Sequence, residues 1–376
     1  MDTPLGRRRF LREGSIAAAA LAGLHSVRLP GAAQQRISRY ELIRTRVPMD
    51  ERVREAWQRS FFRQGRFQTH YEPVIVKLFT EDGLVGIGDA DMVAGSAREI
   101  LESLVGSSPW EHMLDDRLGG ILVAIYDLIG KATGLPVSKL FAARTKTRIQ
   151  QTWWSQCFPP ELMASEAKRG ADLGYRVHKV KARPWEDPIA QAEAICDVIP
   201  RDMRVWVDAN AWWGSVGRTL HFCERLSKFH QYFAIESPFA RERIDDYRLL
   251  KGKTALQVTE HIPADPMPFV REGLVDAFVV GKPMGRTLVQ RALMAEETRI
   301  PLWVEHSISS GINQVFQAHQ AAAFPGIEYA ISVTHVLEDD LMLEPFEMKE
   351  GFYEVPRNPG LGVSLDMDAI EKYRVG

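Results

Sequence analysis

Cysteine is scarce in this chain of 376 residues, with Cys157, Cys196 and Cys223 the whole complement. An odd set of three cannot build a disulfide framework, even in an oxidising compartment. Cys196 and Cys223 fall in amphipathic helical runs and read as small buried hydrophobes, and nothing pairs Cys157 with an activating base. A charge excess is missing too. Lys and Arg number 47 against 49 Asp and Glu, a net charge of −2, which argues against nucleic acid as the main partner. A permanent membrane span is also lacking, because the alanine-rich run Ser15–Val27 is too short to serve as one. What remains is a 45% hydrophobic chain of globular type, with one large or two modest domains.

Residues 1–34 stand apart from the rest. Arg7-Arg8-Arg9-Phe10-Leu11-Arg12 fits the twin-arginine export pattern, with Gly6 where Ser or Thr is usual. The apolar run follows, and Gly31-Ala32-Ala33 offers small residues for cleavage. This is the order of a removable export signal, which places the mature protein in the periplasm or cell envelope. A frayed basic terminus or a short tether is the alternative.

From residue 35 to 147 the pattern is that of an α+β capping domain. Ile37–Ile43, Val74–Phe79 and Leu84–Ala90 suit strands, with a Glu81-Asp82-Gly83 turn between the last two. Residues 119–134 carry Ile121, Ala124, Ile125 and Leu128 at helical spacing, with Gly134 as the stop. The segment Pro48–His70 collects Arg52, Arg54, Arg59, Arg63 and Arg66 among aromatics. It reads either as a lid whose arginine clamps a remote anion or as a solvated basic helix with aromatics docked beneath.

The chemistry is concentrated in residues 148–350. The strand-like Tyr175–Lys181 ends in Lys179 and Lys181, and side chains two apart on a strand share a face. Two cations side by side have no packing rationale. Three further apolar runs each end in a carboxylate, namely Asp208, Glu236 and Glu260, spaced by about one strand plus one helix. Such repeated units bring the ends of parallel strands to one rim of a barrel. Thr147–Trp154, Ala277–Val280, Pro301–Val304 and Tyr329–Thr334 suit the remaining strands, so a modified (β/α)7β barrel lacking its last helix is expected.

Lys179-Val-Lys181, Asp208-Ala-Asn210, Glu236 and Glu260, in this order, resemble the enolase superfamily in its mandelate racemase and muconate lactonizing branch. The resemblance covers nearly all of the chain after the leader, and implies that residues 351–376, with Asn358-Pro359-Gly360-Leu361-Gly362-Val363, form a closing segment that packs back on the capping domain. It implies Mg²⁺ held by Asp208, Glu236 and Glu260, with Asn210 supporting the shell. It also implies Lys181 as the base and Lys179 as a holder of the substrate carboxylate. Oxygen ligands suit this hard cation, and a cation beside a lysine lowers the proton affinity of that lysine. The expected chemistry is removal of the proton α to a carboxylate by way of an enediolate.

The opposite wall decides the outcome. Racemase-like members carry an Asp after the sixth strand and a His after the seventh. Here Lys282 and His306 take those places, and a register one residue off puts Gly281 at the first of them. Lys181 and Lys282 on two faces give racemisation or epimerisation of a carboxylic acid, the leading expectation. His306 protonating a departing hydroxyl gives dehydration of an acid sugar or hydroxy acid. A cycloisomerase and a metal- or ligand-binding descendant without turnover complete the alternatives. By alternation His261 and Glu305 are expected to point away from the site. The implied partners are a small carboxylic acid and a second copy of the chain.

Overall fold

The computed structural model describes residues 35–62, 69–305, 308–331 and 333–376. The expected export signal and His306 lie outside these residues. Three antiparallel strands, Ile37–Arg44, Val74–Thr80 and Val85–Asp89, form the first sheet, in chain order. The helix Ile121–Thr133 packs on the third of them, and Gly134 ends it with a left-handed φ of 69°. Contact there is close: a Cβ on Gly86 would lie 2.3 Å from the Ala124 carbonyl oxygen, so only glycine admits the helix at that depth.

Eight parallel strands follow. They are Arg148–Ser155, Val177–Lys181, Arg204–Asp208, Tyr232–Glu236, Gln257–His261, Ala277–Gly281, Leu302–Glu305 and Ile327–Ile331. Each pairs with the next, and the eighth closes on the first through Ala330 opposite Gln151. A helix follows each of the first seven strands, whereas the eighth leads only into a 3-10 turn, Thr334–Val336. The expected (β/α)7β barrel is therefore present. Its strand residues are mostly buried because both faces are covered, the condition of a parallel sheet, although the first, second and fifth strands carry polar residues as well.

Inside the barrel, Trp206, Phe233, Trp303 and Tyr329 form an aromatic plug, with Trp206 and Trp303 ring centroids 4.5 Å apart. This plug is the floor on which the polar residues rest. Register then fixes what shares the inner face, because neighbours in register point the same way. Lys179 pairs with Trp206, and Lys181, Asp208 and Glu236 fall in one row above them. Farther round, His261 pairs with Val279 and Gly281 with Glu305.

Two contacts tie the first region to the barrel and the tail. Buried Asp89 accepts from the Ser310 hydroxyl at 2.9 Å and from the Asp91 amide at 3.1 Å. Burial, then the neighbouring Asp91 charge, pushes its carboxyl up to about 6. Asp127 accepts from the Ile87 and Leu361 amides at 2.9 and 2.8 Å, which fastens the tail to the first region. The tail also runs antiparallel to the first barrel strand through Phe352–Glu354.

Candidate active site

Lys179 is wholly buried, and three carboxylates converge on its ammonium. Glu305 lies at 2.7 Å, Glu236 at 2.9 Å and Asp208 at 3.4 Å. Burial alone would push a lysine towards its neutral form, but Glu236, Glu305 and Asp208 together outweigh burial and raise its pKa. Lys181 lies one layer nearer the mouth, keeps some exposure, and donates to Asp208. Asp208 is held well below the usual carboxylate range although burial opposes this, because Lys181 and Lys179 both face it. Glu305 is likewise lowered to about 2 against burial, chiefly by Lys179. The expectation that K-x-K shares a face with Asp208 and Glu236 is what the register delivers.

The far half of the rim differs by one residue on each of three strands. Glu260 faces out of the barrel, where it accepts from the Tyr247 hydroxyl and from Ser237 at 2.7 Å. Burial raises its pKa to about 7. His261 takes the inward place instead, with Nε2 3.2 Å from both Glu236 and Glu305. Burial lowers its pKa, but Glu305 and Glu236 prevail and push it up to about 9. On the sixth strand the inward terminal position is Gly281. Lys282 follows in a left-handed conformation, φ 47°, and its ammonium pairs with Asp91 of the first region. On the seventh strand Glu305 faces the centre, against Lys179 and His261. Alternation holds on all three strands, but its phase is opposite to the expectation, so the places expected for Glu260 and Lys282 fall to His261 and Gly281.

The supporting residues divide similarly. Asn210, at φ 44°, donates to Asp208 from its backbone amide at 2.8 Å and from its side chain at 3.1 Å. These two bonds orient Asp208. Ser237 also turns through φ 44° directly after Glu236. Left-handed non-glycine residues are strained and gather at functional sites, and here they close the third, fourth and sixth strands. The helix Glu51–Phe62 docks by Trp57 against Trp154, with ring centroids 5.5 Å apart. Its described arginines are engaged in ion pairs: Arg52 with Glu166, Arg54 with Glu338 and Arg59 with Glu55. Arg63 and Arg66 lie outside the described residues. Arg183 and Trp185 line a groove with Trp212 beside the second and third strands. None of the three cysteines forms a disulfide, and burial raises the Cys157 thiol to about 11, which disfavours its reactive thiolate form.

Asp208, Glu236 and Glu305 offer oxygen, and Glu236, His261 and Glu305 present donor atoms within 4.8 Å of one another. That oxygen-rich set fits a hard divalent cation. The three carboxylates are balanced by Lys179, Lys181 and a protonated His261, so a dication entering here has to displace an ammonium or a proton.

Comparison with known proteins agrees with this geometry. The family model described as enolase C-terminal domain-like matches residues 162–369, more than half of the chain. D-gluconate dehydratase of Thermoproteus tenax is 23% identical over 353 residues, spanning 80% of this chain and 69% of that protein. N-succinyl-L-Arg/Lys racemase of Bacillus cereus is 22% identical over 339 residues, spanning 80% of this chain and 90% of the racemase. Among solved structures, the dipeptide epimerase of Enterococcus faecalis, complexed with Mg and the dipeptide L-Leu-L-Tyr, superposes with a TM-score of 0.72. It is 19% identical and covers 88% of this chain and 99% of its own.

Proposed function

This chain belongs to the enolase superfamily, in its mandelate racemase and muconate lactonizing branch, and from that membership we propose that it racemises or epimerises a small carboxylic acid. The observation that carries the reading is the Lys179–Lys181 pair set against Asp208 and Glu236 on the adjoining strands and Glu305 facing them from the seventh. Lys181 is the member of the pair that reaches the mouth, and it takes the α-proton. Lys179, buried beneath, supplies fixed positive charge. The second and sixth strands stand four apart in a ring of eight, and Lys282 follows the inward Gly281 on the sixth. Its ammonium rests on Asp91, and in this reading it leaves that carboxylate to return a proton to the opposite face of the substrate.

Glu236 and Glu305, with Asp208 and His261 beside them, would hold Mg²⁺. When bound, the ion supplies positive charge that stabilises the charge gained by the substrate carboxylate as the adjacent proton leaves. Asn210 keeps Asp208 oriented through its two hydrogen bonds.

Dehydration is the second reading. It is favoured by Gly281, rather than a charged side chain, at the inward end of the sixth strand, because elimination needs a base on one face only. Proton NMR in D₂O with Mg²⁺, over chiral sugar acids and N-substituted amino acids, separates the two. Epimerisation predicts α-proton exchange lost in Lys181→Ala and configurational scrambling lost in Lys282→Ala. A keto acid formed equally by wild type and Lys282→Ala would establish the dehydratase. Exchange that survives Lys181→Ala would refute both.

A further inference from the structure

Gly281 is a glycine for which neither backbone nor packing accounts. Its φ is not in the left-handed region, and a Cβ placed on it would meet no atom within 4 Å. Glycine inside a strand weakens the strand and often marks a close approach by something else. In register with Glu305, it faces the mouth of the barrel. The space it leaves belongs to a cavity of about 360 Å³, a size that suits part of a small ligand. His261, Val279, Arg241, Thr287 and Arg291 also border it. His261 in turn touches Glu236 and Glu305, so the cavity adjoins the charged centre.

Neither arginine is strongly neutralised. Arg241 meets only the adjacent, exposed Glu242 at 3.2 Å, a pairing of little energetic weight. Arg291 donates to the Ala264 carbonyl at 3.3 Å and makes no ion pair among the described residues. Two guanidiniums bordering a cavity that Val279 and Val280 also line suit an oxyanion carried on a short apolar chain.

We propose that this cavity is a subsite for a second anionic group, so that the substrate is a dianion whose distal carboxylate or phosphate is taken by Arg241 and Arg291. The proposal rests on the reacting carboxylate lying at the lysine and carboxylate centre. Gly281 borders the cavity on the side of the mouth, and a larger side chain there would reach into the open space. Selectivity is thus set in part by the barrel itself, on the side away from the K-x-K strand.

Matched probe pairs test this by calorimetry in the presence of Mg²⁺, without turnover: malate against lactate for a distal carboxylate, and 3-phosphoglycerate against glycerate for a distal phosphate. One dianion of the two pairs is expected to bind about ten- to a hundredfold tighter than its monoanion, and the pair that shows it identifies the distal group. Arg241→Gln/Arg291→Gln should reduce that preference to less than about threefold, as should Gly281→Val, while monoanion binding stays unchanged. Thermal melting checks that each variant is folded, and the arginine pair carries the test if Gly281→Val is not. Equal binding of dianion and monoanion by wild type, or a preference that survives the arginine changes, overturns the subsite. Failure of the catalytic reading shows separately, as α-proton exchange independent of Lys181.

Discussion

Replacing Lys179 by Met removes one ammonium and little else, since the two side chains are similar in length and volume. In wild type, Lys179, Lys181 and protonated His261 face Asp208, Glu236 and Glu305, three charges against three. The variant leaves one buried carboxylate uncompensated, a change that ordinarily destabilises by about 3–5 kcal/mol. The protein has a cheaper escape, which is to protonate a carboxylate. At pH 7 that costs about 2.7 pK steps at 1.36 kcal/mol each for a group of ordinary pKa near 4.3, or about 4 kcal/mol. At pH 5 the same protonation costs only about 1 kcal/mol. The sign follows from linkage: the variant binds an extra proton when folded, so its deficit grows as pH rises. Asp208 and Glu305, held low, titrate below this window, and the titrations of Asp89 and Glu260 within it are common to variant and wild type, so they cancel in the deficit taken at each pH. Urea unfolding of chelator-treated protein, followed by tryptophan fluorescence, should show a large deficit at pH 7 that mostly closes at pH 5. Equal deficits at both pH values, or none at either, would refute the charge balance drawn here.

Asp89 offers a second pH test. Its folded carboxyl is raised to about 6 from an ordinary 3.8, so its stabilising effect is full below about 3.8 and is lost as pH rises through about 6, amounting to about 3 kcal/mol. Asp89→Asn should flatten the pH dependence of the urea midpoint between pH 4 and 7, and an unaltered slope would remove Asp89 as its source. Divalent binding tests the phase of the fifth and seventh strands. Glu236→Gln and Glu305→Gln should each weaken Mg²⁺ binding about ten- to a hundredfold by calorimetry, comparable with losses at supporting residues of metal sites. Glu260→Gln should change it less than about threefold, and a loss equal to that of Glu236→Gln would place Glu260 at the metal after all.

Much of the architecture was legible in the chain itself. The K-x-K pair, the carboxylates after the third and fourth strands and the Gly134 stop are local signals, set by period-two and helical patterning. They located the barrel and the wall that carries Lys179 and Lys181. Patterning also showed that adjacent residues on the fifth, sixth and seventh strands face opposite ways. It did not show which of each pair faces in, because Glu260 and His261, or Glu305 and its successor, are both polar and either could line a site. That choice belongs to the closed ring of hydrogen bonds, in which each strand inherits its phase from its neighbour: Glu236 beside Thr259, His261 beside Val279, Gly281 beside Glu305. Asp91 was equally invisible, since nothing within the first region marks it as the partner of Lys282. The sequence by itself determined the family, the barrel and one wall of the site. Only the tertiary structure decided the other wall, because inward and outward along a strand acquire meaning only when the barrel closes.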